Sequence, residues 1–131
     1  MPAHSTDISV SARYAELPAL LAALARRAAA LGLSEAAGRR LQVVLEELFT
    51  NTIVHGHRQE SAELVHVRLS CHEAGVHLRY CDNAPPFDLC HRQEGAADDS
   101  LGGFGLPLIK GMSKRIRYTR REPLNIIELD F

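Results

Sequence analysis

The sequence predicts an α+β fold: a two-layer α/β sandwich, with a mixed, mostly antiparallel sheet covered on one face by helices. Three observations carry this. Stretches in which apolar residues alternate with polar ones stand beside stretches with helical periodicity. The later alternating stretches come in consecutive pairs joined by short turns, which implies antiparallel pairing. No internal repeat and no interdomain linker interrupts the 131 residues, so residues 1–131 are taken as one domain.

The elements follow in chain order. In "DISVSA", Ile8 and Val10 alternate with polar residues, giving a short strand with one buried face. "LPALLAALARRAAALG" is a helix with Pro18 near its start and Gly32 at its end. Ser34 is placed to cap the next helix, with Glu35 in its first turn. That helix is expected to run to about His55, with Gly56 as its C-terminal cap. In "AELVHVRLSCH", Val65, Val67 and Leu69 alternate with His66 and Arg68; in "GVHLRYCDN", Val76, Leu78 and Tyr80 alternate with His77 and Arg79. The short Glu73-Ala74-Gly75 connection makes the two a hairpin. "NAPPFD" leaves the sheet, because its two prolines cannot serve a central ladder. The polar, aperiodic stretch at 89–102 is a long loop. "GLPLIKGM" is a short helix, and "KRIRYTRRE" and "LNIIELDF" close the fold as a hairpin around Glu122-Pro123.

Composition removes several classes of function. Hydrophobic residues make up 46% and charged residues 24%, which supports a packed core. The net charge of −1 gives no electrostatic case for nucleic acid or an anionic membrane. No apolar run reaches the roughly 20 residues of a membrane span, and no secretory signal opens the chain. Cys71, Cys81 and Cys90 are odd in number and lack CxxC spacing, so they read as reduced thiols of a cytoplasmic protein. Cysteine–histidine metal binding is not expected, because no paired ligand spacing is present. In "KRIRYTRR", Arg115, Arg117 and Arg121 share one strand face, opposite Ile116 and Tyr118; a solvated face accounts for them more simply than docking of an acidic partner.

Three stretches carry candidate chemistry. In "VLEELFTNTIVHGH", residues four apart lie about 40° apart around a helix, so Glu47, Asn51 and His55 form one polar stripe. Leu41, Val44, Leu45 and Leu48 form the apolar face beside it, and Glu46 points elsewhere. The stripe alone fits a solvated face. It also fits a general base one turn from an amide oxygen able to bind Mg²⁺, and asparagine in mid-helix is a poor helix former. In "YCDNAPPFD", Asp82 sits where a strand hands over to a loop; it serves either a turn or the recognition of an exocyclic amine such as adenine's. In "LGGFGLPLIKGM", Gly102, Gly103 and Gly105 precede a helix, as in a hinge or a phosphate-binding entrance. It is neither a Walker A loop nor a Rossmann fingerprint.

Taken together, "EELFTNTIVHG", "DNAPPFD" and "GGFGLPLIKGM" resemble the N, G1 and G2 boxes of the GHKL (histidine-kinase-like) ATPase superfamily, whose sandwich is of the Bergerat type. Glu47, the His-Gly after the N box and the Pro-Phe-Asp of the G1 box resemble the anti-sigma factor serine/threonine kinases of bacterial partner-switching systems. The resemblance implies that Glu47 is the general base and that Asn51 is the Mg²⁺ ligand facing the ATP phosphates. It implies that Asp82 reads the adenine amine and that Phe87 packs near the base. Ala84 stands where many members have glycine, placing a methyl group beside the adenine approach. Gly102, Gly103, Phe104, Gly105 and Leu106 fall at the phosphates, with Gly103 and Gly105 as the G2 glycines; residues 89–102 become the nucleotide lid, and His55 lines the phosphate side.

The implied activity is an ATP-dependent protein serine kinase that phosphorylates a STAS-type anti-sigma factor antagonist and sequesters a sigma factor. Only about 33 residues precede Ser34, too few for the phosphoacceptor helix pair of a sensor histidine kinase, so the acceptor is expected to be a separate protein. The relatives also imply a homodimer built partly through the N-terminal strand and helix. Two alternatives stay open: a nucleotide-gated binding module without phosphotransfer, and the same kinase with a client other than a sigma factor.

Overall fold

The computed structural model describes residues 5–73, 75–87 and 105–131, with side chains placed for all of these except 5, 6, 105 and 106. Strand β1 (Ser5–Ala12) leads through a single 3-10 turn (Tyr14–Glu16) into helix α1 (Leu17–Ala30). Gly32 at φ +81° reverses the chain, and the Leu33 amide reaches back to the Ala28 carbonyl, so proline opens and glycine closes this helix as expected. Helix α2 (Glu35–Asn51) starts on Ser34, whose hydroxyl accepts from the Ala37 amide; such a cap contributes about 1 kcal/mol.

Strands β2 (Ser61–His72) and β3 (Gly75–Asp82) form the expected hairpin. Helix α3 (Gly105–Met112) precedes β4 (Arg115–Arg121) and β5 (Leu124–Asp130), which turn back on each other at Glu122-Pro123. The sheet order is β1-β2-β3-β5-β4. Every pairing among the described strands is antiparallel, which narrows the mixed sheet expected from the sequence. The last strand inserts beside β3, and β4 becomes an edge.

The register explains the core. Ile8, Val67, Tyr80, Ile127 and Tyr118 stand side by side across all five strands. Leu69, Leu78, Leu129 and Ile116 form the next row toward one end. These rows face the helices and bury against Leu20 and Leu24 of α1, Leu41, Leu45, Leu48 and Phe49 of α2, and Ile109 of α3. Each such side chain contributes about 2 kcal/mol relative to an exposed one. At the other end the same face continues with Asp82, Asn125 and Arg120. The apolar core therefore ends in a polar row, and that row is where the candidate site lies.

The end of α2 departs from expectation. The α-helix stops at Asn51 and the chain widens into one π-helical turn, Thr52–His57. Gly56 lies buried inside this turn and is not the cap. The left-handed terminating residue is Arg58, at φ 65°. Widened turns of this kind are rare and occur frequently at functional sites.

Candidate functional site

A pocket between α2 and the sheet is lined by Leu48, Asn51, Thr52, Tyr80, Asp82, Phe87, Asn125 and Ile127. It contains three of the residues singled out from sequence, Asn51, Asp82 and Phe87. Each reaches it from a different element.

Asp82 is the last residue of β3 and is buried. Its Oδ1 accepts from the Asn125 side-chain amide at 2.8 Å and from the Ala84 backbone N–H at 3.1 Å. Its Oδ2 accepts from the Thr52 hydroxyl at 2.7 Å. A carboxylate offers about four acceptor positions, so one is left for a ligand donor. Tyr80 lies behind this group, donating its phenol proton to Thr52 at 2.5 Å. Burial, and after it the nearby Asp82 charge, pushes the Tyr80 phenol well above its ordinary range, so it stays a neutral donor.

Asn125 ties the turn to the sheet. Its side-chain N–H groups face Asp82 Oδ1 and the carbonyls of Ala84 and Pro85, all within 3.1 Å. Its oxygen accepts from the Tyr118 hydroxyl, the Arg120 guanidinium and the Phe87 amide. Acceptors on one side and donors on the other fix the orientation of this amide. Arg120 also donates to the Ala84 carbonyl at 3.0 Å. A buried polar group left unpaired costs about 1–3 kcal/mol, and here each one is matched.

Asn51 behaves differently. It is 5% exposed, yet its side-chain nitrogen is buried with no hydrogen-bond partner among the described residues. An amide at a pocket wall without an internal partner is available to a ligand, and its oxygen is a hard donor of the kind Mg²⁺ takes. Among the described residues no cluster of three His, Cys, Asp or Glu side chains could hold a metal by itself. A cation here would rely on the oxygens of its ligand, as Mg²⁺ commonly does on substrate phosphates.

Glu47 lies one turn before Asn51 and is partly buried, whereas Glu46 is exposed. Burial, with the Glu46 charge second, raises the Glu47 carboxyl above its ordinary value. That makes it a better proton acceptor near neutral pH. The π-helical turn carries His55 away from a regular i, i+4 continuation of the stripe. Its ring stacks on Phe87 with centroids 5.6 Å apart and planes 12° from parallel. Ala84 is buried and is not among the residues that line this pocket. Gly105 opens α3 and Leu106 follows in its first turn, while Gly102, Gly103 and Phe104 lie outside the described residues, as does the stretch 89–102 expected to form a lid.

Sequence reading overlooked Thr52, Tyr80, Asn125 and Arg120. Two of these had a signal. In "LNIIELDF", Asn125 shares its parity with Ile127 and Leu129, so a polar residue occupies an inward position. Arg120 likewise shares the face of Ile116 and Tyr118. Pairing with Asp82 depends on β5 inserting beside β3, which the chain order does not reveal.

A family model described as a histidine kinase-like ATPase domain matches residues 10–131. No curated protein matches the sequence. Among solved structures, the crystal structure of the RsbU and RsbW domains of Rv1364c from Mycobacterium tuberculosis aligns over 95% of this chain, with TM-score 0.68 and 16% identity. The histidine kinase domain of the Erythrobacter litoralis EL346 blue-light activated histidine kinase aligns over 88%, with TM-score 0.57 and 14% identity. The chain spans 31% of the first structure's length and 60% of the second's. At these identities the likeness is one of fold.

Proposed function

The chain belongs to the histidine kinase-like ATPase domain family, and from that premise we propose that residues 1–131 form one ATP-dependent protein serine kinase domain acting as an anti-sigma factor. Its phosphoacceptor is a serine of a STAS-type antagonist, and its client is a sigma factor. The observation that carries the nucleotide reading is the join, in one pocket, between the buried Asp82–Asn125 pair and the Asn51 amide, whose nitrogen has no partner among the described residues. The serine kinase and anti-sigma reading rests on the resemblance of the three boxes.

In this reading, adenine enters between Phe87, Leu48 and Ile127 and gives its exocyclic amine to the remaining acceptor position of Asp82. The phosphates run toward Asn51 and the start of α3, where a helix N-terminus favours anions. Asn51 would hold Mg²⁺ through its amide oxygen. The metal, when bound, neutralises phosphate charge, as is general in phosphoryl transfer. Glu47 takes the proton of the acceptor serine as its oxygen bonds to the γ-phosphorus; the bond to the β,γ-bridging oxygen breaks and ADP leaves. The raised Glu47 carboxyl supports a base over a purely binding role. No helix among the described residues is long and apolar enough to cross a membrane. The homodimer would use edge strand β1.

The test is transfer of radiolabel from [γ-³²P]ATP to candidate STAS antagonists. Wild type should label a serine. Glu47→Ala should label about 10²–10⁴ times more slowly while still binding ATP, and Asp82→Ala should lose ATP binding. Nucleotide binding without transfer to any antagonist would replace the kinase with a nucleotide-gated binding module.

A further inference from the structure

Gly56 and Ala84 belong to different elements, and neither is given contact with ligand by the geometry above. Gly56 is buried in the π-helical turn. Ala84 is buried two residues beyond Asp82. A Cβ built on Gly56 would lie 2.8 Å from the Ala84 Cβ, well short of the 3.4 Å at which ordinary contact begins. The turn and the loop therefore approach so closely that only one of the two positions can carry a methyl group. Here the loop carries it.

Ala84 is also tied to the carboxylate. Its N–H donates to Asp82 Oδ1, and its carbonyl accepts from Asn125 and Arg120. A push on Ala84 cannot be absorbed by a flexible side chain, because a methyl group sits rigidly on its backbone. It must move the backbone that supplies one of the three donors to Asp82. Thr52, which supplies another, is on the same π-helical turn as Gly56. Two of the three donors to Asp82 are thus set by the separation of these two segments.

We infer that Gly56 is a positioning residue for base recognition: its missing side chain admits the Ala84 methyl and thereby sets the Asp82 carboxylate that selects a 6-amino purine. This rests on the nucleotide reading above, and it adds a specific device for selectivity. The close approach also accounts for the Ala84 methyl lying outside the pocket lining, since it is directed at the space left by Gly56.

The experiment measures ATP and ITP affinity by calorimetry for the full chain as wild type, Gly56→Ala, Ala84→Gly and the double variant. ITP carries a carbonyl oxygen where ATP carries the 6-amino group, so the ATP:ITP ratio reads the Asp82 contact and is insensitive to general loosening. Gly56→Ala should weaken ATP binding about tenfold, the loss of roughly one hydrogen bond, and bring the ratio toward one. Adding Ala84→Gly should restore both, because the new methyl then takes the space of the old. If Gly56→Ala does not fold, the double variant still decides: it should fold and keep the wild-type ratio. A Gly56→Ala protein with the wild-type ratio, or a double variant that stays impaired, overturns the inference. A wild-type chain that binds neither nucleotide overturns the nucleotide reading itself.

Discussion

As the proposed base, Glu47 would serve function against stability. Burial raises its carboxyl above the value it has in the unfolded chain. The folded state then holds the proton more tightly than the unfolded state. Stability from this group is complete below the unfolded value and is lost as pH rises through the folded one. Glutamine keeps the shape and cannot ionise. Glu47→Gln is therefore expected to melt at a higher temperature than wild type at neutral pH. The gain should vanish below about pH 4, where wild type is also protonated. Wild-type phosphoryl transfer should fall as pH is lowered through a value above the ordinary glutamate pKa, and the variant should be slow throughout. Calorimetric scans across pH, paired with transfer rates, check both parts. A variant no more stable than wild type at neutral pH would count against a desolvated base.

At the scale of elements, backbone conformation separates what could be read from the sequence from what could not. Proline in, glycine out and the Ser34 cap fixed α1 and the start of α2, because these signals act within one turn. The π-helical turn had no such signal. Gly56 reads as a cap, yet it is buried for close packing, and the left-handed position falls to Arg58. A side chain in that conformation costs about 1–2 kcal/mol. Arg58→Gly relieves this and gives back part of it as unfolded-chain entropy, so a net gain below about 1 kcal/mol is expected. Gly75 is the opposite case. It sits at φ +131°, and a Cβ there would meet the Phe131 carbonyl oxygen at 2.6 Å. Gly75→Ala should cost about 1–3 kcal/mol. Urea midpoints with unchanged slopes read both effects. An Arg58→Gly protein weaker than wild type would mean that the arginine side chain makes a contact worth more than its strain.

For the whole molecule, the sheet divides into two ends of different chemistry, the buried Asp82–Asn125 row at one and the His77–Asp130 ion pairs at the other. Helix count, strand alternation and the three boxes made the sandwich and Asn51, Asp82 and Phe87 legible, because each is a local pattern. The Asp82–Asn125–Arg120 row was not legible, because it arises from β5 inserting between β3 and β4. Five residues along β5 from Asn125 lies Asp130, a separation of about 17 Å at strand rise. There the His77 ring bonds Asp130 at 2.8 Å and Glu128 at 3.3 Å, and Arg117 joins Glu128 at 3.1 Å. The His77 hydrogen bond is the main reason the Asp130 carboxyl is held below its ordinary value. A depressed carboxylate contributes stability above its unfolded pKa and loses it as pH falls through the folded one. Asp130→Asn should therefore lower the urea midpoint at neutral pH and match wild type in strong acid. The Asp130 side chain is 42% exposed, so solvent screens the pair and the effect should stay under about 1 kcal/mol and shrink with salt. Sites more than about 10 Å apart with no shared partner add independently. ATP affinity should accordingly be the same in Asp130→Asn and wild type. The loss from Asp130→Asn should add to that from Gly56→Ala without coupling. A change in ATP affinity on Asp130→Asn would show that the ion-paired end and the pocket end act as one unit through β5.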